Sequence, residues 1–225
     1  MVSKNNVFML APAEQLASLR VDLGELPDFN PDFIVKPLPD KAANNFVVPQ
    51  WSILAPTYLE ALDKVHQALA AHLEFTNGLN LSHGERQDLK FLRPQFRTVK
   101  GWEKMVQAQQ CGVVIVPAQF TGHYQDLGFR NLYTEKMNRE DEFGLDPYTV
   151  AIVLLSHQYL YYDGAELNLD IRCAGAHYPP RNPPDADSSS ILYFLKSQEG
   201  KQELFLSSNA HTFSDAEGWA TGYIL

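Results

Sequence analysis

The chain is poor in the residues that build covalent, metal-held or nucleotide-binding frameworks. With only Cys111 and Cys173 in 225 residues, no disulfide framework or paired C-x-x-C zinc site is available, although one bridge between the two stays open. Phosphate loops of the G-x-x-x-x-G-K-[ST] type and G-x-G-x-x-G turns are absent, which removes the usual nucleotide cradles. So are H-E-x-x-H and a G-x-S-x-G elbow, the signatures of zinc proteases and serine hydrolases. Basic residues are also scarce. The 18 Lys plus Arg against 27 Asp plus Glu give a net charge of −9, and an acidic chain repels phosphate backbones, so no nucleic-acid partner is expected. Lys90, Arg93 and Arg97 form the only basic concentration, too sparse for a footprint. No apolar run approaches the length that spans a bilayer, and Val7–Ala11 is short for a secretory core. The expectation is a soluble cytoplasmic protein without membrane contact.

What is present reads as an α+β fold, mainly N-terminal helices packed on a mostly antiparallel sheet, with an extended proline-rich arm at residues 1–56 ahead of a single core domain at 57–225. Pro12 to Arg20 suits a short helix with Leu16 and Leu19 on one face. Beyond it, Pro27, Pro31, Pro37, Pro39, Pro49 and Pro56 punctuate short apolar pieces, and proline fixes φ and removes a donor. Phe33, Ile34, Phe46 and Trp51 are too apolar for a solvated linker. The arm therefore either wraps its own core or packs on a protein partner or second copy of the chain.

Thr57 and Glu60 have capping-box spacing, and Leu59, Leu62, Val65, Leu69 and Leu73 recur at helical intervals up to Asn77-Gly78. A shorter helix is expected from Ser82 to about Leu92, and another over Val99–Gln109 with Trp102, Met105 and Val106 inward. Val113–Val116 is a β-branched run without a polar break, the mark of a central strand. Asp146-Pro147 starts a helix whose body, Val150–Leu155, is apolar on every side and hence buried. Downstream, Leu167, Leu169, Ile171 and Cys173 alternate with polar residues as in a half-buried strand. Ile191–Leu195 and Glu203–Leu206 suggest a hairpin turning at Glu199-Gly200-Lys201, and Trp219–Leu225 a last strand.

Between two apolar segments lies a long polar connection, Gln119 to Gly144, and long connections kept within a domain are usually functional. It carries His123, Tyr124, Asp126, Arg130, Tyr133, Arg139 and Glu142. His123, Asp126 and Glu142 are the acid/base candidates, since imidazole and carboxylate groups move protons near neutrality. Tyr124, Arg130, Tyr133 and Arg139, with Phe33 and Trp51 from the arm, are the binding candidates. A metal is not expected, nor any cofactor. Had one been bound, His123, His157, His177 and Asp170 would be its ligands. His157, late in a buried helix, equally suits a structural role in which a protonated ring complements the helix dipole. Cys173 continues an apolar strand face and lacks a thiolate-stabilising neighbour.

The segments Phe96-Arg97, Gly101-Trp102-Glu103-Lys104-Met105, Val116-Pro117-Ala118-Gln119-Phe120, Glu142-Phe143-Gly144-Leu145 and Leu169-Asp170-Ile171-Arg172-Cys173 resemble a group of uncharacterised bacterial hypothetical proteins, over about residues 91 to 175. The resemblance brings no activity, fold or ligand. The function expected from the residues is therefore binding, as an accessory or subunit-interaction protein. The alternative is a small metal-assisted or acid/base hydrolase centred on residues 119–144.

Overall fold

A computed structural model describes residues 9–35, 37–39, 42–72, 92–120, 141–157, 170–178, 189–198, 201–209 and 218–224. The chain is α+β, as its patterning predicts. Helix α1 spans Pro12–Leu23, one turn longer than its proline-flanked sequence suggests, and ends where Gly24 takes φ +88°. Strand β1 covers Asn44–Pro49, followed by the short helix α2, Trp51–Leu54, and by α3, Tyr58–His72. The box that opens α3 is present: the Thr57 amide donates to Glu60 Oε2 at 3.1 Å, and the Glu60 amide donates to Thr57 Oγ1 at 3.3 Å. The expected helix from Ser82 to Leu92 lies almost wholly outside the described residues, as do Asn77-Gly78.

Strand β2 is the pair Arg93–Pro94, and helix α4 runs from Phe96 to Gln109. Strand β3 is Val113–Gln119, β4 is Glu142–Gly144, and helix α5 is Pro147–Ser156. Strands β5 (Asp170–Tyr178), β6 (Ser189–Gln198), β7 (Lys201–Asn209) and β8 (Gly218–Tyr223) complete the described strands. They form one eight-stranded sheet in the order β1-β3-β8-β5-β6-β7, with β2 on β5 and β4 on β8. All pairings are antiparallel except β5 with β8. The β6–β7 hairpin closes on Gln198 opposite Lys201, where the turn was expected.

Part of the proline-rich arm, strand β1, is built into this sheet. Strand β1 pairs with β3 from Asn44 to Pro49, and Phe46, Val47 and Val48 are buried to 1 % exposure or less. Gln15 of α1 seals the outer edge of β1: its Nε2 donates to the Asn45 carbonyl at 2.9 Å, and its Oε1 accepts from the Val47 amide at 2.9 Å. An edge strand leaves backbone groups unpaired, and this glutamine satisfies two of them. Phe46 is thus a core residue and not a contact held out to a partner. Phe33 is half-buried against the same core.

Every residue of α5 is buried, as is all of β3. Helix α5 packs against α1, α3, β1 and β5, so its apolar surface meets protein all round. Helix α4 packs on β3, β4 and β5 instead. It starts three residues before the expected Val99, and Phe96 and Val99 lie exposed while Met105 is buried. Between these two packings, the backbones of Gly144 and Gly175 touch. A Cβ on Gly144 would collide with the Ala174 carbonyl carbon, and one on Gly175 would sit 2.6 Å from the Asp146 nitrogen. Only glycine permits that approach. It coincides with an irregularity in β5 between Cys173 and His177, where the Gly175 amide turns to donate to the Leu145 carbonyl at 2.7 Å. The crossing sets the direction in which the chain enters α5 at Asp146.

Candidate functional site

That entry point opens onto a cavity of about 550 Å³, within the size range of small-molecule sites. Six segments of the chain frame it, that of Leu92 and Pro94 among them. The end of β1 and helix α2 bring Pro49 and Trp51, the start of α3 brings Tyr58, one face of α4 brings Thr98, Val99, Trp102 and Val106, and Asp146, Tyr148 and Ala176 close the inner side. Thr98, Asp146, Tyr148 and Ala176 are buried, whereas Trp51, Val99 and Glu103 are exposed and form the rim. The α4 surface is thus amphipathic in an uncommon way, with apolar side chains on the face that borders an opening.

The inner wall is held in place by hydrogen bonds to backbone. The Thr98 hydroxyl donates to the Gly144 carbonyl at 2.8 Å, tying α4 to β4. The Tyr148 hydroxyl donates to the Pro49 carbonyl at 2.9 Å, fixing α5 to the end of β1. The Tyr58 and Tyr148 rings lie 6.1 Å apart at 55°, a tilted pair. Trp102 in turn leans edge-on to Phe143, with centroids 6.1 Å apart.

Asp146 is the cavity's buried carboxyl. Its Oδ1 accepts from the Thr149 amide at 2.8 Å, the N-cap bond that its sequence position predicts. Burial pushes its carboxyl above the ordinary aspartate range, and the Thr149 and Tyr58 hydrogen bonds draw it only part of the way back. Burial, reinforced by the charge of Asp146, holds the Tyr148 phenol and the Cys173 thiol well above their ordinary values. Cys173 is free, fully buried and hence a poor nucleophile; Cys111 is free as well, so the two do not pair.

Glu142 belongs to a different arrangement. Its Oε1 accepts from the Thr221 hydroxyl at 3.0 Å and from the Tyr223 hydroxyl at 3.2 Å, and Gln119 Nε2 donates to Thr221 Oγ1 at 3.1 Å. These bonds fasten β4 and β3 onto the end of β8. At 2 % exposure, Glu142 is a strut in the sheet. Of the acid/base candidates, Glu142 is thus the one whose Oε1 is engaged by hydroxyls from its own fold.

His157 closes α5, with Nδ1 3.1 Å from the Val153 carbonyl oxygen and 2.9 Å from Ser156 Oγ. A carbonyl only accepts, so Nδ1 carries the hydrogen. The ring packs on Phe46 at 5.5 Å between centroids. Burial lowers its pKa to about 4, against a smaller upward pull from Val153. The ring is therefore neutral at pH 7, not the protonated partner of a helix dipole that its position suggested. His66 of α3 is held lower still, to about 3, by burial.

His123, Tyr124, Asp126, Arg130, Tyr133 and Arg139 lie outside the described residues, and so does most of the connection from Gln119 to Gly144. Asp170 and His177 have their backbones in β5, while their side chains are outside the described set. Trp51 is brought to the cavity rim; Phe33 is not among the lining residues. Among the described residues, no group of three or more His, Cys, Asp or Glu is placed to hold a metal ion, and no helix is long and apolar enough to cross a membrane. Sequence reading found Asp146 only as a helix cap. A cap that is also flanked by Tyr148 and preceded by Gly144 was the available signal, but its cavity is assembled from residues far apart in the chain. No family model matches the chain, and no curated protein or solved structure matches it either.

Proposed function

We propose that the chain is a binding protein for a small, mainly apolar molecule, and that the cavity above Asp146 is its site. The observation that carries this reading is the cavity's composition: a wall of tryptophan, tyrosine, valine and leucine with one buried carboxyl at its inner end. Apolar walls supply affinity through surface removed from water, and one fixed polar group orients the occupant. The wall is preorganised, since Thr98 and Tyr148 are each tied to backbone, which lowers the ordering cost of binding. The binding role thereby moves from a protein partner at the arm to a small molecule beside Trp51.

Titration of the whole chain with Nile red, a neutral apolar dye, tests the site. Saturable 1:1 binding with quenching of tryptophan emission is expected, because Trp51 and Trp102 both line the cavity. Ala176→Leu, which adds bulk to the inner wall, and Val99→Trp, which adds it at the exposed rim, should each weaken uptake by about tenfold, on the order of 1.4 kcal/mol. Unchanged uptake in both variants would reject the cavity as the site.

A further inference from the structure

The cavity's charge is one-sided. Its lining residues among those described include two carboxyls, Asp146 and Glu103, and no lysine, arginine or histidine. Glu103 stands at the exposed rim and is matched by Lys100 Nζ at 2.6 Å, so water and a counter-charge largely cancel it. Asp146 is different: it is 7 % exposed, at the inner end, where low dielectric strengthens any charge–charge contact. A helix N-terminus ordinarily favours an anionic ligand, but here Asp146 itself occupies that position and caps Thr149. An incoming carboxylate or phosphate would meet a carboxyl instead of open backbone donors.

The rings around Asp146 point the same way. Trp51, Trp102, Tyr58 and Tyr148 all line the space, and aromatic faces attract cations and repel anions. The Asp146 carboxyl already takes hydrogen bonds from the Thr149 amide and side chain, from Tyr58 and from its own backbone, so what an ammonium adds there is charge and not a first donor. We infer that the cavity takes a lipophilic amine, its ammonium group set against the Asp146 carboxylate and its apolar body held between α4 and the Tyr58–Tyr148 pair. The inference rests on the cavity being a binding site, and adds the chemical class of the ligand.

Calorimetric titration of the whole chain at pH 7 with 4-phenylbutylamine, 4-phenylbutan-1-ol and 4-phenylbutanoate puts three head groups on one carbon skeleton. The amine should bind about tenfold tighter than the alcohol, with the carboxylate weakest. Asp146→Asn keeps a side chain that caps helices well, and should bring amine and alcohol to within about twofold of each other. An alcohol that binds the wild type as tightly as the amine overturns the ammonium assignment and leaves the cavity reading intact. An asparagine variant that retains the amine preference overturns it in the same way. If none of the three binds the wild type, the cavity reading fails with it. The wild-type ranking needs no variant, so poor folding of Asp146→Asn would not remove the test.

Discussion

Glu142 opens strand β4 and Asp146 caps the helix that follows it, both buried, and the fold uses them in opposite ways. Glu142 is met by the Thr221 and Tyr223 hydroxyls and holds strands together. Asp146 is met by the Thr149 amide at a helix start and by the Tyr58 hydroxyl, and it borders a cavity. The lesson is that burial of a carboxyl marks a functional candidate only when the surrounding fold leaves space beside it. A buried acid whose acceptors are engaged by hydroxyls of its own sheet is structural material.

Perturbing pH gives the largest expected effect and separates these carboxyls from the imidazoles buried with them. His66 and His157 have folded pKa values lowered to about 3 and about 4, below the unfolded value near 6.5, so the unfolded chain binds more protons between those limits. Stability present above about pH 6.5 is lost as pH falls toward 4, by several kcal/mol in all. Urea unfolding at pH 7 and pH 4.5 measures it. His157→Gln should remove part of the dependence, whereas a pH-independent midpoint would contradict neutral burial of the rings.

The next effect is Glu142→Ala, which leaves two buried hydroxyl donors without their acceptor and should cost about 3 kcal/mol. Thermal unfolding reads it, and amine binding by the folded fraction should not change. A loss below about 0.5 kcal/mol, the range of an ordinary surface substitution, would mean that Glu142 is no strut. Asp146→Ala comes third, at about 1 kcal/mol for the lost cap, with loss of the amine preference. Because burial raises its folded pKa, Asp146 lowers stability as pH rises through the carboxylate range toward that raised value. Asp146→Asn should flatten that limb of the stability curve, and an unaltered limb would remove Asp146 as its source. Glu103→Gln is the smallest: within about 0.5 kcal/mol in stability, and within about twofold in amine affinity. A larger affinity loss would shift the charge recognition from Asp146 to the rim.

Local chemistry made much of this fold legible. The Thr57–Glu60 box, the β-branched run of β3, the Asp146 cap and the β6–β7 hairpin each depend on residues a few positions apart, and each is present. What could not be read depends on partners distant in sequence. Arg172 alternates with Ile171 and Cys173 as an outward residue would, yet it is 6 % exposed because the sheet is covered there too. Proline spacing made the segment around Phe46 look like an arm, but Pro49 sits at the last position of β1, and Gln15 supplies the edge bonds. Glu142 and Asp146 carry equal promise on paper. Only Thr221, Tyr223, Trp102 and Ala176, from other strands and helices, tell them apart.

The most direct measurement is methyl-resolved NMR of the full chain titrated with 4-phenylbutylamine. Shifts should concentrate on Leu59, Leu92, Val99, Val106 and Ala176, which line the cavity, and leave Val113, Val114 and Leu154 of the closed core unmoved. Saturable shifts centred anywhere else, or spread evenly over the chain, would contradict the placement of the binding site above Asp146.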